Sequence, residues 1–455
     1  MVSALTLLML PVSDADMRLH SLFKDHMVVQ RMSTLQVKGW DEPGTGVTVK
    51  VSWVKGEFMG VADRFGAFSI KVPTSEAGGP YTISVKGSDD IQVSDVMVGD
   101  VWVCSGQSNM EWPLASTGNA AEDIASANQT GVRLFQVKND MKDTPQANCE
   151  GQWATASPDS VKGFSAVGYL FGKELDSKTG VAIGLIDTTW GGTEAELWTS
   201  ETGLMKLPEL KGSLRSKKHS TLFNAMVSPL TGFPIKGAIW YQGESNVGRA
   251  FQYRRLFPEM IKDWRREWRQ TFPFYFVQIA PFKGYGSAAA AELREAQNFA
   301  LQLPKTGVAV ITDATGNLDD IHPQDKRTPA HRLALWALAK DYKQTGFEYC
   351  GPIYQKVKFS GPYARLTFDH GLGLQAIGGP LREFEIAGAD RVWKPAIATI
   401  EGESVLVYSD EVLRPVAVRM GWSTAPQPNL FNQAGLPASP FRTDKWPGLT
   451  DSTKW

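Results

Sequence analysis

The chain has 455 residues, with 47 Lys plus Arg against 48 Asp plus Glu and a formal net charge of −1. That length allows two or three domains and a sizeable core, and hydrophobic and charged fractions of 42% and 21% describe a folded soluble protein. No basic excess points to nucleic acid or to an anionic membrane surface, so the balance fits a protein that handles an uncharged or weakly charged ligand.

Residues 2–15 combine an apolar stretch with a small-residue end but lack a basic leading region. They read as a signal peptide without its true start, which places the protein in a periplasm or outside the cell; an ordinary first strand is the alternative. The stretch is too short to span a membrane, and no later segment approaches the required length.

Residues 17–96 alternate apolar and polar side chains between glycine and proline punctuation. Strands are expected at 35–40, 47–53 and 81–86, separated by Gly44, Gly60 and Gly78-Gly79. This is an all-β module, most simply a small sandwich. Over residues 97–345 apolar runs alternate with longer helical patterns, which predicts a parallel α/β sheet with helices on its faces. The expected strands are 101–104, 181–186, 237–241, 274–279 and 308–312. The expected helices are 167–178, 251–268, 288–301 and 326–340. Residues 346–455 return to short strands such as 364–368 and 383–387, then to a Pro-, Trp- and Asn-rich stretch that wraps the surface. This second β module can pack with the first.

Fifteen tryptophans serve either core packing or flat platforms for sugar rings, and composition does not separate the two. Of the three cysteines, Cys104 falls in an expected buried strand and reads as a small hydrophobe. Cys149 and Cys350 can pair in an oxidising compartment only if they meet in space. No C-x-x-C or H-E-x-x-H spacing occurs, so neither a metal nor a cofactor is expected.

The most informative segment is Val101-Trp102-Val103-Cys104-Ser105-Gly106-Gln107-Ser108-Asn109-Met110. Its first part favours a buried strand and its second a tight turn. A serine there projects from the carboxyl edge of the sheet, where open α/β folds bind ligands. The other strand ends deliver further reactive groups: Trp190-Gly191-Gly192-Thr193, then Gln242-Gly243-Glu244, then Asp319-Asp320-Ile321-His322. A serine nucleophile needs a base. Among His20, His26, His219, His322, His331 and His370, only His322 lies in a strand-end loop with carboxylates just before it. Asp319 and Asp320 are rival orienters of that imidazole. The N–H of Ser108, the backbone N–H of Gly191 or Gly192 and the amide of Gln242 are candidate oxyanion donors. Trp190 and Glu244 flank them as candidate substrate contacts.

Together these blocks resemble the SGNH hydrolases, and more closely the sialate O-acetylesterase family of carbohydrate acetylesterases. The likeness also takes in Leu22-Phe23-Lys24-Asp25-His26-Met27-Val28-Val29-Gln30-Arg31, Gly99-Asp100-Val101-Trp102 and Gly435-Leu436-Pro437-Ala438-Ser439-Pro440-Phe441-Arg442-Thr443. It implies an SGNH-type, flavodoxin-like sheet and a metal-free serine esterase that removes acetyl groups from sugars. By likeness Ser108 is the nucleophile, His322 the base, and Gly192 the glycine of its block. Gln242 stands where the wider superfamily has Asn. Many relatives carry a long insertion before the third block, whereas residues 201–221 here are short and Lys-rich. That leaves the substrate wall more open and makes acetylated xylan or another glycan the alternative to sialate. A carbohydrate-binding protein with a relic site is the alternative of another class.

Overall fold

The computed structural model describes residues 16–453 except 217, so the signal-like residues 2–15 lie outside the described residues. The organising element is strand β1, Asp90–Gly106, which serves two layers at once. Its first half pairs antiparallel with Gly78–Lys86 and parallel with Val28–Gln30 in the amino-terminal module. Its second half enters a parallel sheet between β2, Ile183–Thr189, and β3, Gly237–Tyr241. The change in sequence pattern follows from this. Residues 90–96 have one solvated face and alternate, whereas Val101–Cys104 are wholly buried and run continuously apolar.

β4, Phe274–Val277, and β5, Thr306–Ala309, extend the sheet beyond β3, which gives the order 2-1-3-4-5. Val132–Gln136 adds parallel to the outer edge of β2, and Trp153–Thr155 pairs antiparallel with it. Neither strand is anticipated by the sequence pattern; each is short, and Trp153–Thr155 forms the sheet's edge. The helices include α1, Ser108–Glu111, and α2, Ala166–Thr179. Longer ones follow: α3, Ala250–Trp268, α4, Ala289–Asn298, and α5, Arg327–Lys340. α2 shows why these segments start and stop where they do. The Ser165 hydroxyl accepts the Gly168 N–H at 3.0 Å, and Gly180 closes the helix in the left-handed region at φ 65°.

The amino-terminal strands Thr34–Trp40 and Ala67–Pro73 pair with each other. Their inward residues Leu35, Val37, Ile70 and Val72 share one apolar core with the parallel sheet. Trp102, Trp198, Trp240 and Trp264 are fully buried in that core, so these tryptophans pack the interior. The carboxy-terminal region forms separate β-sheets around a second core that contains Leu366, Ile386, Val405 and Val418. It docks through polar contacts with α4. The fully buried Arg294 guanidinium donates to the carbonyls of Ile279 and Ala280 on its own side, and of Ser423 and Thr424 across the boundary. Cys149 and Cys350 are separate thiols.

Two of the motif blocks meet beneath the sheet. The fully buried Asp100 carboxylate accepts Gln30 Nε2 at 2.7 Å and Arg31 Nε and Nη2 at 3.1 and 3.0 Å. Removing the cation would strand a buried anion. Arg31→Ala is therefore expected to destabilise the protein by about 3–5 kcal/mol, read as a large fall in the thermal or urea midpoint; an unchanged midpoint would show that the pair is dispensable.

Candidate active site

The serine turn is set by a close backbone approach. β1 ends at Gly106, φ 142°, where a Cβ would lie 2.2 Å from the Tyr241 carbonyl oxygen. Only glycine passes so near the end of β3. Gln107 then donates its N–H to Tyr241 O at 3.0 Å, and its own carbonyl accepts Met110 N–H and Glu111 N–H at 2.8 and 3.0 Å. That winds α1, with Ser108 as its first residue, half-buried at the carboxyl edge of the sheet.

His322, in the loop after β5, stands with Nε2 2.9 Å from Ser108 Oγ, although 214 residues separate them in sequence. Its ring stacks on Trp112 at 4.6 Å between centroids and 21° between planes. Asp320 Oδ1 accepts the His322 backbone N–H at 2.8 Å and lies 3.9 Å from Nδ1. Asp319 turns outward, 69% exposed, and pairs with Lys283 at 3.1 Å. The structure thus brings Asp320, and not Asp319, beside the imidazole. Burial, and secondarily repulsion from Lys326, lower the His322 pKa below 6.5, with Asp320 opposing.

The glycine block lies against Ser108. A Cβ on Gly191 would approach Ser108 Cβ to 3.3 Å, and the Gly191 N–H donates to Glu111 Oε2 at 2.6 Å. That N–H is therefore engaged, which removes Gly191 as an oxyanion donor. Gly192, φ 72°, is exposed, and among the described residues no acceptor takes its N–H. Trp190 is half-buried and packs against the main core.

Gln242 does not play the part expected of it. The fully buried amide donates to Thr193 O at 3.1 Å and Asn246 Oδ1 at 2.7 Å, and its Oε1 accepts the Tyr253 hydroxyl at 2.9 Å. Both of its N–H bonds hold loops together and neither is left for an oxyanion. Glu244 is likewise turned inward, and its Oε1 accepts Asn109 Nδ2 at 2.7 Å. It supports the site from beneath and is not a substrate contact.

Three neighbours escaped the sequence reading. Glu111 and Trp112 directly follow the quoted serine motif, and Lys326 lies four residues after His322. Lys326 is almost wholly buried, its Nζ 2.6 Å from Asn109 Oδ1, and burial pulls its pKa down to about 7. A lysine opening a helical pattern reads as surface unless the loop before it is known to fold inward. Among the described residues no three His, Cys, Asp or Glu side chains converge as a metal site would require.

A hydroxyl, an imidazole and a nearby carboxylate at the carboxyl edge of a parallel sheet are groups with which nucleophilic ester hydrolysis can be carried out. Comparison with known proteins places the chain among esterases. Residues 98–338 match the family "Carbohydrate esterase, sialic acid-specific acetylesterase". The chain is similar to sialate O-acetylesterase of Mus musculus, 30% identical over 93% of this chain and 94% of that protein. It is equally similar to that of Homo sapiens, 30% identical over 95% and 94%. A solved carbohydrate acetylesterase from Xanthomonas citri superposes with a TM-score of 0.89 and 42% identity, over 94% of this chain and all of that one. The chain belongs to the sialic acid-specific acetylesterase family of carbohydrate esterases.

The two aspartates separate by experiment. Asp320→Asn is expected to lower kcat by about tenfold or more, because it removes the charge facing the imidazolium. Asp319→Asn should stay within about twofold of wild type. The reverse ranking in steady-state kinetics would assign the orienter to Asp319.

Proposed function

We propose that this esterase removes O-acetyl groups from carbohydrates, with Ser108 as nucleophile and His322 as general base. The observation that carries the reading is the 2.9 Å contact between Ser108 Oγ and His322 Nε2. In an open parallel sheet of this order, that contact also supports the SGNH-type description of the fold. As Oγ attacks the acetyl carbon, the neutral imidazole takes the hydroxyl proton. The negative oxygen of the tetrahedral intermediate is met by the N–H groups of Ser108 and Gly192. Collapse expels the sugar oxygen, which takes the proton back from the imidazolium. A water then enters and attacks the acetyl carbon as it loses a proton to His322; the Ser108 Oγ–carbon bond breaks, Oγ takes that proton back from the imidazolium, and acetate leaves. Asp320, at 3.9 Å from Nδ1, stabilises the imidazolium through its charge at a distance longer than a hydrogen bond.

A specific observation bears on the sugar. The cavity whose wall includes His322, about 470 Å³, is lined by Asp313, Asp320 and Asp325 and by no lysine or arginine. Asp313 is paired with Arg332 at 2.6 Å and Asp320 and Asp325 face the buried Lys326, so the surface that a ligand meets carries carboxylates and no cation. A sialate brings its own carboxylate into this field, whereas an acetylated neutral glycan such as xylan does not. Acetate release from O-acetylsialate and from acetylated xylo-oligosaccharide, measured side by side, distinguishes the two; a clear preference for sialate would reject the neutral-glycan reading. Residues 2–15 support export to a periplasm or the cell exterior. No helix among the described residues is long and apolar enough to cross a membrane.

Ser108→Ala is expected to abolish acetate release from an aryl acetate while leaving the melting temperature within a few degrees of wild type. Undiminished turnover would remove Ser108 from the mechanism. The base works only when neutral, so activity rises as pH climbs through the imidazole pKa. Since burial and Lys326 lower that pKa, the acid limb of kcat/KM should fall below 6.5. A limb at or above 6.5 would show that the imidazole is not held in this environment.

A further inference from the structure

Three buried polar residues under the site take no part in the acyl-transfer scheme. Asn109, Lys326 and Glu244 are 0%, 1% and 8% exposed. Asn109 joins them: its Oδ1 accepts Lys326 Nζ at 2.6 Å, and its Nδ2 donates to Glu244 Oε1 at 2.7 Å and to the Ile321 carbonyl at 3.1 Å. An amide held between an ammonium and a carboxylate has a single stable orientation, oxygen toward the cation and NH2 toward the anion. Its second N–H bond is thereby aimed at Ile321, the residue before His322. Asn109 is itself the residue after Ser108. One side chain with no rotational choice therefore ties the nucleophile's helix to the base's loop.

Among the described residues no side-chain hydrogen-bond partner reaches the buried Glu244 Oε2. The charged groups around the imidazole are Asp320 from its own loop and Lys326 at the start of α5. Lys326 in turn faces Glu244 from the loop after β3, together with Asp320 and Asp325. Its Nζ also lies 5.6 Å from the ring centroids of both Trp112 and Tyr241.

We propose that Lys326, Asn109 and Glu244 form a positioning unit, in which the two charged ends fix the Asn109 amide and that amide sets the approach of His322 to Ser108. The proposal rests on the reading of those two residues as base and nucleophile. Lys326 has a second effect, since its charge disfavours the imidazolium. Burial pulls its own pKa down to about 7, with Glu244, Asp320 and Asp325 opposing.

The test uses the full chain, an aryl acetate and three variants, each checked for folding by circular dichroism. Lys326→Met is expected to lower kcat by about tenfold with KM within about twofold, and to move the acid limb of kcat/KM to higher pH. Glu244→Gln keeps the shape of its site and a hydrogen-bonding group, so it serves where Lys326→Met does not fold. It should lower kcat several-fold, again with KM nearly constant. Wild-type kcat in either folded variant overturns the positioning unit, as does an unmoved acid limb in folded Lys326→Met. Ser108→Ala, run alongside, separates the two readings. Turnover by that variant defeats the nucleophile assignment, whereas its inactivity beside fully active Lys326→Met and Glu244→Gln defeats the positioning unit alone.

Discussion

The site depends on one close approach, Gly106 passing under the carbonyl of Tyr241 where β1 and β3 end together. No side chain fits between them, since a Cβ would stand 2.2 Å from that oxygen. The strand must therefore stop, turn and begin α1 at the sheet edge. From this short turn, side chains reach the loops after β2, β3 and β5. Gln107 Oε1 accepts Ser245 N–H at 3.2 Å, Glu111 Oε2 accepts Gly191 N–H at 2.6 Å, and Asn109 Nδ2 donates to Ile321 O at 3.1 Å. The residues around Ser108 thus assemble the site as well as contributing its hydroxyl.

Burial and charge divide the labour among the acidic residues. Asp320 is part-exposed beside the imidazole, where its charge acts through a partly screened medium. Glu111 holds the glycine block by a charge-assisted bond. Glu244 lies inside, where burial raises its pKa and its partners are Asn109 and, across that amide, Lys326. A carboxylate identified from sequence as near the chemistry can therefore be an orienter, a strut or a counterion, and depth in the fold decides which.

Much of this was legible in the residues. The apolar runs at 237–241 and 274–279 reappear as Gly237–Tyr241 and Phe274–Val277, and the pattern at 326–340 as Arg327–Lys340. These segments are buried on both faces or strongly periodic, so tertiary context reinforces their local preference. The serine and the histidine were legible because strand ends gather in space whatever their separation along the chain. The strand Val132–Gln136 was not, since Arg133 interrupts its apolar run and finds its ionic partner in Asp95, far off in sequence. Gln242 misled for a related reason. A side-chain amide beside an active-site loop offers the same donors whether it faces substrate or backbone, and only the positions of Thr193, Asn246 and Tyr253 show that it faces inward.

Arg294 gives the carboxy-terminal β region a meaning that its distance in sequence conceals. Two of the carbonyls that satisfy this guanidinium belong to Ser423 and Thr424, and Phe282 N–H also reaches Thr424 O at 3.3 Å. The next residue, Lys283, donates its N–H to Leu318 O at 2.9 Å, at the threshold of the histidine loop. A fragment cut before residue 346 would leave a buried guanidinium facing vacated space, and would remove the Thr424 anchor of the Phe282-Lys283 segment that holds the loop bordering the acidic cavity. The distal module is better regarded as a keystone of the catalytic half than as an appendage, and insertions or fusions are better tolerated on its far sheet than at this seam.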